Sequence, residues 1–362
     1  MKFSPRLVRL LAAASVVALA SCASQPPPPP LPPVVLPPAA PPPPPVALSG
    51  SVLEAAGAYR LYIRRAAEIS PAFANGDAVE QSLVAAASYE PKQFLRGAIA
   101  YAALVALQSP QFVAGVRTFA VDPAGRADLA AKLMADPYYA AALPSSAAAA
   151  TLVSATLHAD ADKVRRAGEL VKQAAYDVQH QAWSKGDIPA RDLRLANAKT
   201  VSGVPISPPP ADVQLLKASI TGVDTSGLTL AEPVGDPLTA PFSAVVSRGL
   251  AVAALAALGE GGEANDAALS HMLDDTTNAF CLNLAKLNLY QCLSVAKPYY
   301  EDVFCIGQHI LLDTAQCVSK AAGGNVVVVA EAAPPPLSPT AQPYKPTPPA
   351  KKPVARKPAA KK

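Results

Sequence analysis

The sequence predicts an all-α protein with a proline-rich arm at each end, and three observations support this prediction. Apolar residues between positions 48 and 325 recur at helical spacing, and two-residue alternation is confined to short pieces such as 326–329. Of the 40 prolines, 24 lie in the tracts 26–45 and 334–358, which cannot form a packed core. Hydrophobic residues make up 51% of the chain but aromatic residues only 6%. We therefore expect alanine-rich helices in one bundle or in two subdomains.

The first 21 residues have the organisation of a secretory signal peptide. The basic residues Lys2, Arg6 and Arg9 precede an apolar stretch at 10–20. That stretch, about 11 residues long, is too short to cross a hydrocarbon core, which needs about 20. The tetrapeptide Leu-Ala-Ser-Cys at 19–22 follows, and small residues at this place are typical of a processing site.

The tetrapeptide at 19–22 resembles the lipobox of bacterial lipoproteins. In that class the cysteine becomes the first residue of the mature chain, its thiol carries a diacylglycerol, and its amine is acylated. The resemblance implies lipidation of Cys22 and stable anchoring in the membrane. Several acyl chains anchor a protein stably, whereas a single chain gives only marginal membrane binding. Ala23 rather than an aspartate follows, which in this class implies the outer membrane, facing the periplasm. The alternative is an ordinary signal peptide with an incidental cysteine.

Residues 22–47 form the predicted lipid anchor and stalk. Fourteen of the 20 residues at 26–45 are proline, which favours the polyproline II conformation. At about 3.1 Å per residue such a segment reaches about 60 Å. We interpret it as a semi-rigid spacer; the alternative is a docking site for a partner that recognises proline.

The middle of the chain divides by composition into a helical subdomain at 48–197, a connector rich in proline and glycine at 198–241, and a second helical subdomain at 242–325. A tail at 326–362 follows. Helices are expected at 51–69, 93–107, 125–135, 146–157, 161–183, 210–219, 242–258, 264–296 and 301–320. Asp160 or Asp162 would cap the helix at 161–183, and Gly186 would end it.

Four cysteines within 37 residues predict a disulfide-stapled hairpin, because an exported protein meets an oxidising compartment. In an antiparallel helical pair, residues that face each other have a nearly constant index sum. Cys281 with Cys317 gives 598 and Cys292 with Cys305 gives 597, so we expect these two nested bonds. The twelve residues from Cys305 to Cys317 overshoot whole α turns by about 120°, which suggests that Cys305 lies near a helix start.

The other connectivities fit less well. Cys281 and Cys292 on one helix would be about 16 Å apart, whereas disulfides need Cα atoms within about 7 Å. The crossed pairing demands two incompatible registers. A zinc site is the remaining alternative, but the sequence lacks closely spaced C-x-x-C pairs.

No motif predicts a reaction. The polar groups considered are His158 with Asp160 and Asp162, His180, His271 with Asp274 and Asp275, His309, Ser294 with Lys297, and the turn Gly259–Gly262. The H-x-D-x-D string is interpreted as capping rather than a metal site, and the others as surface, packed or turn residues. The S-x-x-K match lacks its accompanying K-T-G, and the glycine turn lacks the lysine of a phosphate loop. We expect no metal and no cofactor.

The basic character of the chain belongs to its tail. The tail from 334 carries seven basic residues and no acidic one, and the signal segment carries three basic residues. The middle of the chain therefore has 21 basic and 27 acidic residues, and its net charge is about −6. The tail cations are Lys345, Lys351, Lys352, Arg356, Lys357, Lys361 and Lys362. Behind a lipoprotein signal they would meet cell-wall polymers, headgroups or acidic proteins rather than nucleic acid. A solubilising tail is the alternative.

Together these features predict a cell-envelope lipoprotein that acts as a structural or adaptor protein and is not expected to be an enzyme. The stalk would set its distance from the membrane, and the tail or a helical surface would bind a wall polymer or an envelope protein. Two alternatives stay open: an envelope hydrolase of an unrecognised family, and a periplasmic carrier of an apolar ligand.

Overall fold

A computed structural model describes residues 42–323 and the short strand Val327–Val328. The predicted signal peptide, Cys22, most of the stalk and the seven tail cations lie outside the described residues. The described residues belong to one compact unit. They form an almost wholly helical fold, which confirms the predicted all-α class.

Thirteen α-helices and two short strands run through the described part of the chain. The helices are α1 (Gly50–Ala67), α2 (Gly76–Ala87), α3 (Pro91–Ala106), α4 (Pro110–Arg117), α5 (Pro123–Ala135), α6 (Ser146–Val178), α7 (Arg191–Ser202), α8 (Pro210–Ser219), α9 (Ala244–Leu258), α10 (Asp266–Met272), α11 (Thr276–Val295), α12 (Tyr299–Cys305) and α13 (Asp313–Ala322). Strand β1 (Pro233–Val234) pairs with β2 (Val327–Val328) in antiparallel fashion. A π-helix, Ile306–Leu312, joins α12 to α13 without a break.

Side-chain caps and prolines set many helix starts. Glu90 accepts hydrogen bonds from the N–H groups of Lys92 and Gln93 in front of α3, whose first residue is proline. Asp122 caps α5, which also begins with proline. Such residues satisfy N–H groups that have no partner within the helix.

Helix α6 differs from the prediction of two helices at 146–157 and 161–183. It is one helix of 33 residues, Ser146–Val178. Asp160 lies in its middle, fully buried, and caps nothing. Its negative charge is compensated by Arg60 of α1 and by Lys163, three residues further along α6. The helix therefore continues past Asp160. Gly186 follows a separate 3-10 turn and does not end the helix.

The helix predicted at 264–296 is broken in two. Asp275 has an extended backbone between α10 and α11, and its carboxylate accepts the N–H groups of Thr277 and Asn278. A side chain that caps a helix competes with continuation of the preceding one. Helix α11 therefore begins at Thr276.

The centre of the fold is formed by α3 and α9, with α1 and α6 packed around them. A Cβ on Gly249 of α9 would lie 2.6 Å from the Cβ of Ala102 in α3, and one on Gly97 would lie 2.5 Å from the Ala55 oxygen in α1. Glycine at these positions lets the helices approach closely. The hydrophobic core runs without interruption across the predicted boundaries at 198 and 241.

The predicted connector crosses the surface of the first helices. After α8, its backbone N–H groups at Thr229, Ala231 and Leu238 donate to Tyr101 Oη, Thr156 Oγ1 and Thr151 Oγ1. These bonds tie an extended segment to α3 and α6. The connector is therefore attached along its length to the helical core.

The C-terminal hairpin carries both predicted disulfides. Cys281 bonds to Cys317 and Cys292 to Cys305, with Cα atoms 5.7 Å apart in each pair. Cys305 is the seventh residue of the continuous helical run that starts at Tyr299, and the π-helix follows it directly. Three α turns take about 11 residues, and the π-helix inserts about one more. Twelve residues thus complete about three turns, and both cysteines face α11.

Within the described residues, no single helix is long and apolar enough to cross a membrane. One pair, α3 with the segment Pro110–Ala120, meets the criterion of length and composition only together, and it is bent by 86°. Helix α3 is the most enclosed helix of the first half of the chain, with 13 of its 16 residues buried.

Candidate functional site

The H-x-D-x-D string occupies the middle of α6, where its three side chains point in different directions. His158 hydrogen-bonds the Gly323 oxygen and the Ser319 hydroxyl, each at 3.1 Å. Asp160 is buried, whereas Asp162 pairs with Arg165. Among the described residues, no group of three or more His, Cys, Asp or Glu side chains has the arrangement of a metal site.

Asp160 is the centre of a buried polar cluster that the sequence did not indicate. Its carboxylate lies 3.6 Å from both Arg60 Nη1 and Lys163 Nζ, and within 3.4 Å of the Tyr59 and Thr229 hydroxyls. Burial raises the pKa of the Asp160 carboxyl, while the two cations oppose that rise. The cluster joins α1, α6 and the connector. Each partner belongs to the fold, so the arrangement is structural.

The residues His271, Asp274 and Asp275 do not form a catalytic cluster. Asp274 pairs with Arg96 at 3.3 Å and with Lys92 at 3.8 Å, both from α3. Asp275 caps α11, and His271 is exposed at the end of α10. The two carboxylates therefore serve helix packing and capping.

The remaining candidates are separate from one another. His180 is exposed, and His309 Nδ1 lies 3.6 Å from Asp313 Oδ2 at the surface of the π-helix. The Ser294 hydroxyl donates to the Gln291 oxygen within α11, and the Lys297 side chain is exposed. The glycine stretch at 259–262 ends α9 and leads into α10, as the turn prediction required.

Lys286 is a buried amine that the sequence interpretation missed. It lies on the inner face of α11, 3% exposed, with Nζ 2.5 Å from the Ala87 oxygen, 3.2 Å from Ser202 Oγ and 3.4 Å from the centre of the Tyr89 ring. Burial lowers the pKa of the Lys286 ammonium well below its usual value. A single charge among the core-facing positions of α11 was the signal that could have revealed it.

A buried ion pair between Arg194 and Asp302 fixes the hairpin to α7. Both Asp302 oxygens accept from Arg194 Nη1, at 2.7 and 2.8 Å, and Arg194 Nη2 donates to the Leu293 oxygen. Arg191 donates to the Ala296 and Ser294 oxygens. Two arginines of α7 thus satisfy the last carbonyls of α11.

Beside the Cys292–Cys305 disulfide lies an apolar groove of about 350 Å³ between α6 and the hairpin. Aromatic side chains from both sides line it: Tyr176, Tyr300 and Phe304. The Tyr176 and Phe304 rings meet edge to face, with centres 6.3 Å apart. Val295, which ends α11, forms part of its rim and is 73% exposed.

The outer face of α11 continues from that rim and exposes four large apolar side chains. Its exposed apolar side chains are Phe280 (69%), Leu284 (44%), Leu287 (49%) and Val295 (73%). An apolar surface of this kind is typical of a binding face rather than of a catalytic centre. Together with the groove, it is the candidate functional site.

Comparison of this chain with protein-family models, with curated proteins and with solved structures gives no match.

Proposed function

We propose that the protein is a lipid-anchored structural or adaptor protein at the periplasmic face of the outer membrane. The observation that carries this proposal is the outer face of α11, an apolar surface on a helix held by two disulfides. Such a surface suits binding to another macromolecule. The lipobox resemblance supplies the anchor at Cys22, and the prolines at 26–45 supply a spacer.

The charge distribution supports a role for the tail. The last 29 residues carry seven cations, whereas the middle of the chain has a net charge of about −6. The two parts therefore favour different partners. The tail would attract an anionic wall polymer in a salt-dependent manner. The helical domain would remain free to contact a protein.

The anchor is tested by labelling growing cells with a palmitate analogue and isolating the chain. We expect label in the native protein and none in Cys22→Ala. An unlabelled native chain that is nevertheless exported would contradict the lipoprotein assignment and favour an ordinary signal peptide.

The tail is tested by retention on isolated cell wall, comparing the intact protein with a chain truncated after Ala333. We expect retention of the intact protein at low salt, and its loss at high salt or after truncation. A matched control replaces the seven tail cations by glutamine and keeps the prolines. Equal retention of all three forms at low salt would remove the tail from the mechanism.

The carrier alternative draws on the apolar groove beside Cys292–Cys305. A fluorescent apolar probe that binds the native protein and not a variant with Phe304→Glu would favour it. The hydrolase alternative gains no support from Asp274, which is engaged by Arg96 and Lys92.

A further inference from the structure

Three exposed apolar residues of α11 and two polar ones that follow them have a coiled-coil spacing. Phe280, Leu284, Leu287, Gln291 and Ser294 are separated by four, three, four and three residues, which is the alternation of a and d positions in a heptad. We call these five residues the α11 seam. The residues that α11 buries in its own domain lie on the opposite side: Leu282, Ala285, Lys286, Leu289 and Leu293. The helix therefore has a second stripe, turned away from the core and apolar at Phe280, Leu284 and Leu287.

The α11 seam is uncharged along its whole length. The flanking positions, which in coiled coils usually carry glutamate and lysine, are here Thr276, Cys281, Asn283, Asn288, Tyr290 and Val295. Lys286, the single charged residue of α11, is buried on the other side. Two charged side chains of neighbouring helices contact these flanks: Asp313 accepts from Asn288, and the exposed Lys199 lies over the Tyr290 ring.

We propose that the α11 seam binds the α11 seam of a second copy of this chain, with the two helices antiparallel about a two-fold axis. In an antiparallel pair each flank faces the same flank of its partner, so charged flanks would repel their own copies. Uncharged flanks remove that repulsion, whereas a different protein would call for complementary charges to set its specificity. The absence of charge thus favours a second copy as the occupant.

The order of residues along the seam fits this symmetry. If facing residues have an index sum of 571, Leu284 meets Leu287 of the second copy twice, which places four leucines at the centre. Phe280 then covers Gln291, and Thr277 meets Ser294. Apolar residues meet apolar ones in the middle, and small hydroxyl groups meet at both ends. This is the arrangement of a well-packed centre within a more polar rim.

The helix is held in place before it binds. Cys281 and Cys292 fix α11 to the second arm of the hairpin, and Arg191 and Arg194 fix its C-terminal carbonyls to α7. A preordered helix loses little conformational entropy on association. The contact, from Thr277 to Ser294, would be only about 26 Å long, so it is small. We expect a dissociation constant on the order of 10 µM, as for other small interfaces.

The test is sedimentation equilibrium of the full chain in density-matched detergent, over a range of protein concentrations. We expect a monomer–dimer equilibrium for the native protein and at least a tenfold weaker dimer for Leu284→Lys. The matched control is Leu230→Lys, on the connector, whose side chain is 42% exposed against 44% for Leu284; this variant should dimerise like the native protein. Circular dichroism and mapping of both disulfides verify that each variant is folded.

Cysteine cross-linking tests the antiparallel register. Under mild oxidation, a mixture of the Leu284→Cys and Leu287→Cys full chains should form the mixed dimer, and each variant alone should cross-link weakly. A Leu284→Cys chain that cross-links only to itself would indicate parallel helices and contradict the proposal.

Three results would overturn the pairing with a second copy. They are a monomer at all concentrations, a dimer that Leu284→Lys leaves intact, and a dimer that appears only after truncation at Ala333. The last would show that the seam is covered by the chain's own tail in the intact protein. The dimer would use the same face of α11 on which the proposed adaptor function rests, whereas the anchor and the tail are tested separately, because none of these results depends on lipidation or wall binding.

Discussion

Helices α9 and α11 are both rich in apolar residues, but the fold uses them in opposite ways. Helix α9 buries 13 of its 15 residues, whereas α11 buries only five of its 20. Burial of apolar surface holds α9 in place. Helix α11 buries one stripe and is held in addition by two disulfides and by arginines at its C-terminal end.

The difference shows that apolar composition does not by itself report burial. In α9 the small residues allow contact on every side, with Gly249 set against Ala102. In α11 one stripe enters the core and the other remains outside. Covalent bonds and carbonyl capping make this possible, because a helix fixed in these ways need not bury every apolar side chain.

The largest contrast is expected from matched leucine substitutions. Leu255 of α9 is 0% exposed and Leu284 of α11 is 44% exposed. We expect Leu255→Ala to lower the free energy of unfolding by about 3–5 kcal/mol, and Leu284→Ala by less than about 0.5 kcal/mol. Denaturant unfolding at a concentration that keeps the protein monomeric measures both. Similar losses at the two sites would mean that the outer face of α11 is packed.

A somewhat smaller effect is expected at the buried pair that holds the hairpin to α7. Asp302→Asn or Arg194→Met alone should cost about 3–4 kcal/mol, because each leaves a partner buried without its counter-charge. The double variant Arg194→Met with Asp302→Leu should cost less than the sum of the two single changes. Additive losses in the double-mutant cycle would show that the pair does not act as a unit.

The third expected effect is a pH dependence from Lys286, smallest near its usual pKa. Its folded-state pKa is lowered by burial, so below its usual pKa near 10.5 the unfolded chain binds more protons. Stability from this group therefore rises with pH up to about 10.5, with a slope of at most about 1.4 kcal/mol per pH unit. The Lys286→Met variant should have a higher free energy of unfolding than the native protein at pH 7.5, and the difference should be smaller at pH 10. Denaturant unfolding at the two pH values measures it. A difference that stays constant with pH would contradict a buried, perturbed amine.

Local patterns predicted most of the longer helices but missed α2, α4 and α7, and index sums predicted both disulfides. The two nested sums differ by one, and the structure joins the same cysteine pairs. The angular misfit between Cys305 and Cys317 pointed to a real feature, the π-helix at Ile306–Leu312. The spacing of the two cysteines showed that an α-helix would not bring them to the same face. It did not show that a π-helix, with its additional residue per turn, would do so.

The environments of Asp160 and Lys286 could not be predicted from local sequence patterns. Asp160 was interpreted as a helix cap, because aspartate near a helix start ordinarily has that role. Its partner Arg60 lies 100 positions earlier, and no local pattern links the two residues. Lys286 likewise finds its acceptor at Ala87, about 200 positions away. Buried charges are compensated by tertiary contacts, which a single sequence does not display.

We conclude that α11, unlike α9, depends on covalent and capping contacts in addition to its single buried stripe. Native-state amide hydrogen exchange of the full chain, before and after reduction of both disulfides, tests it most directly. Loop-closure entropy assigns about 3–4 kcal/mol to each bond. We predict that reduction speeds exchange in α11 by more than about tenfold while α9 keeps its protection. Unchanged exchange in α11, or equal loss of protection in both helices, would contradict the claim.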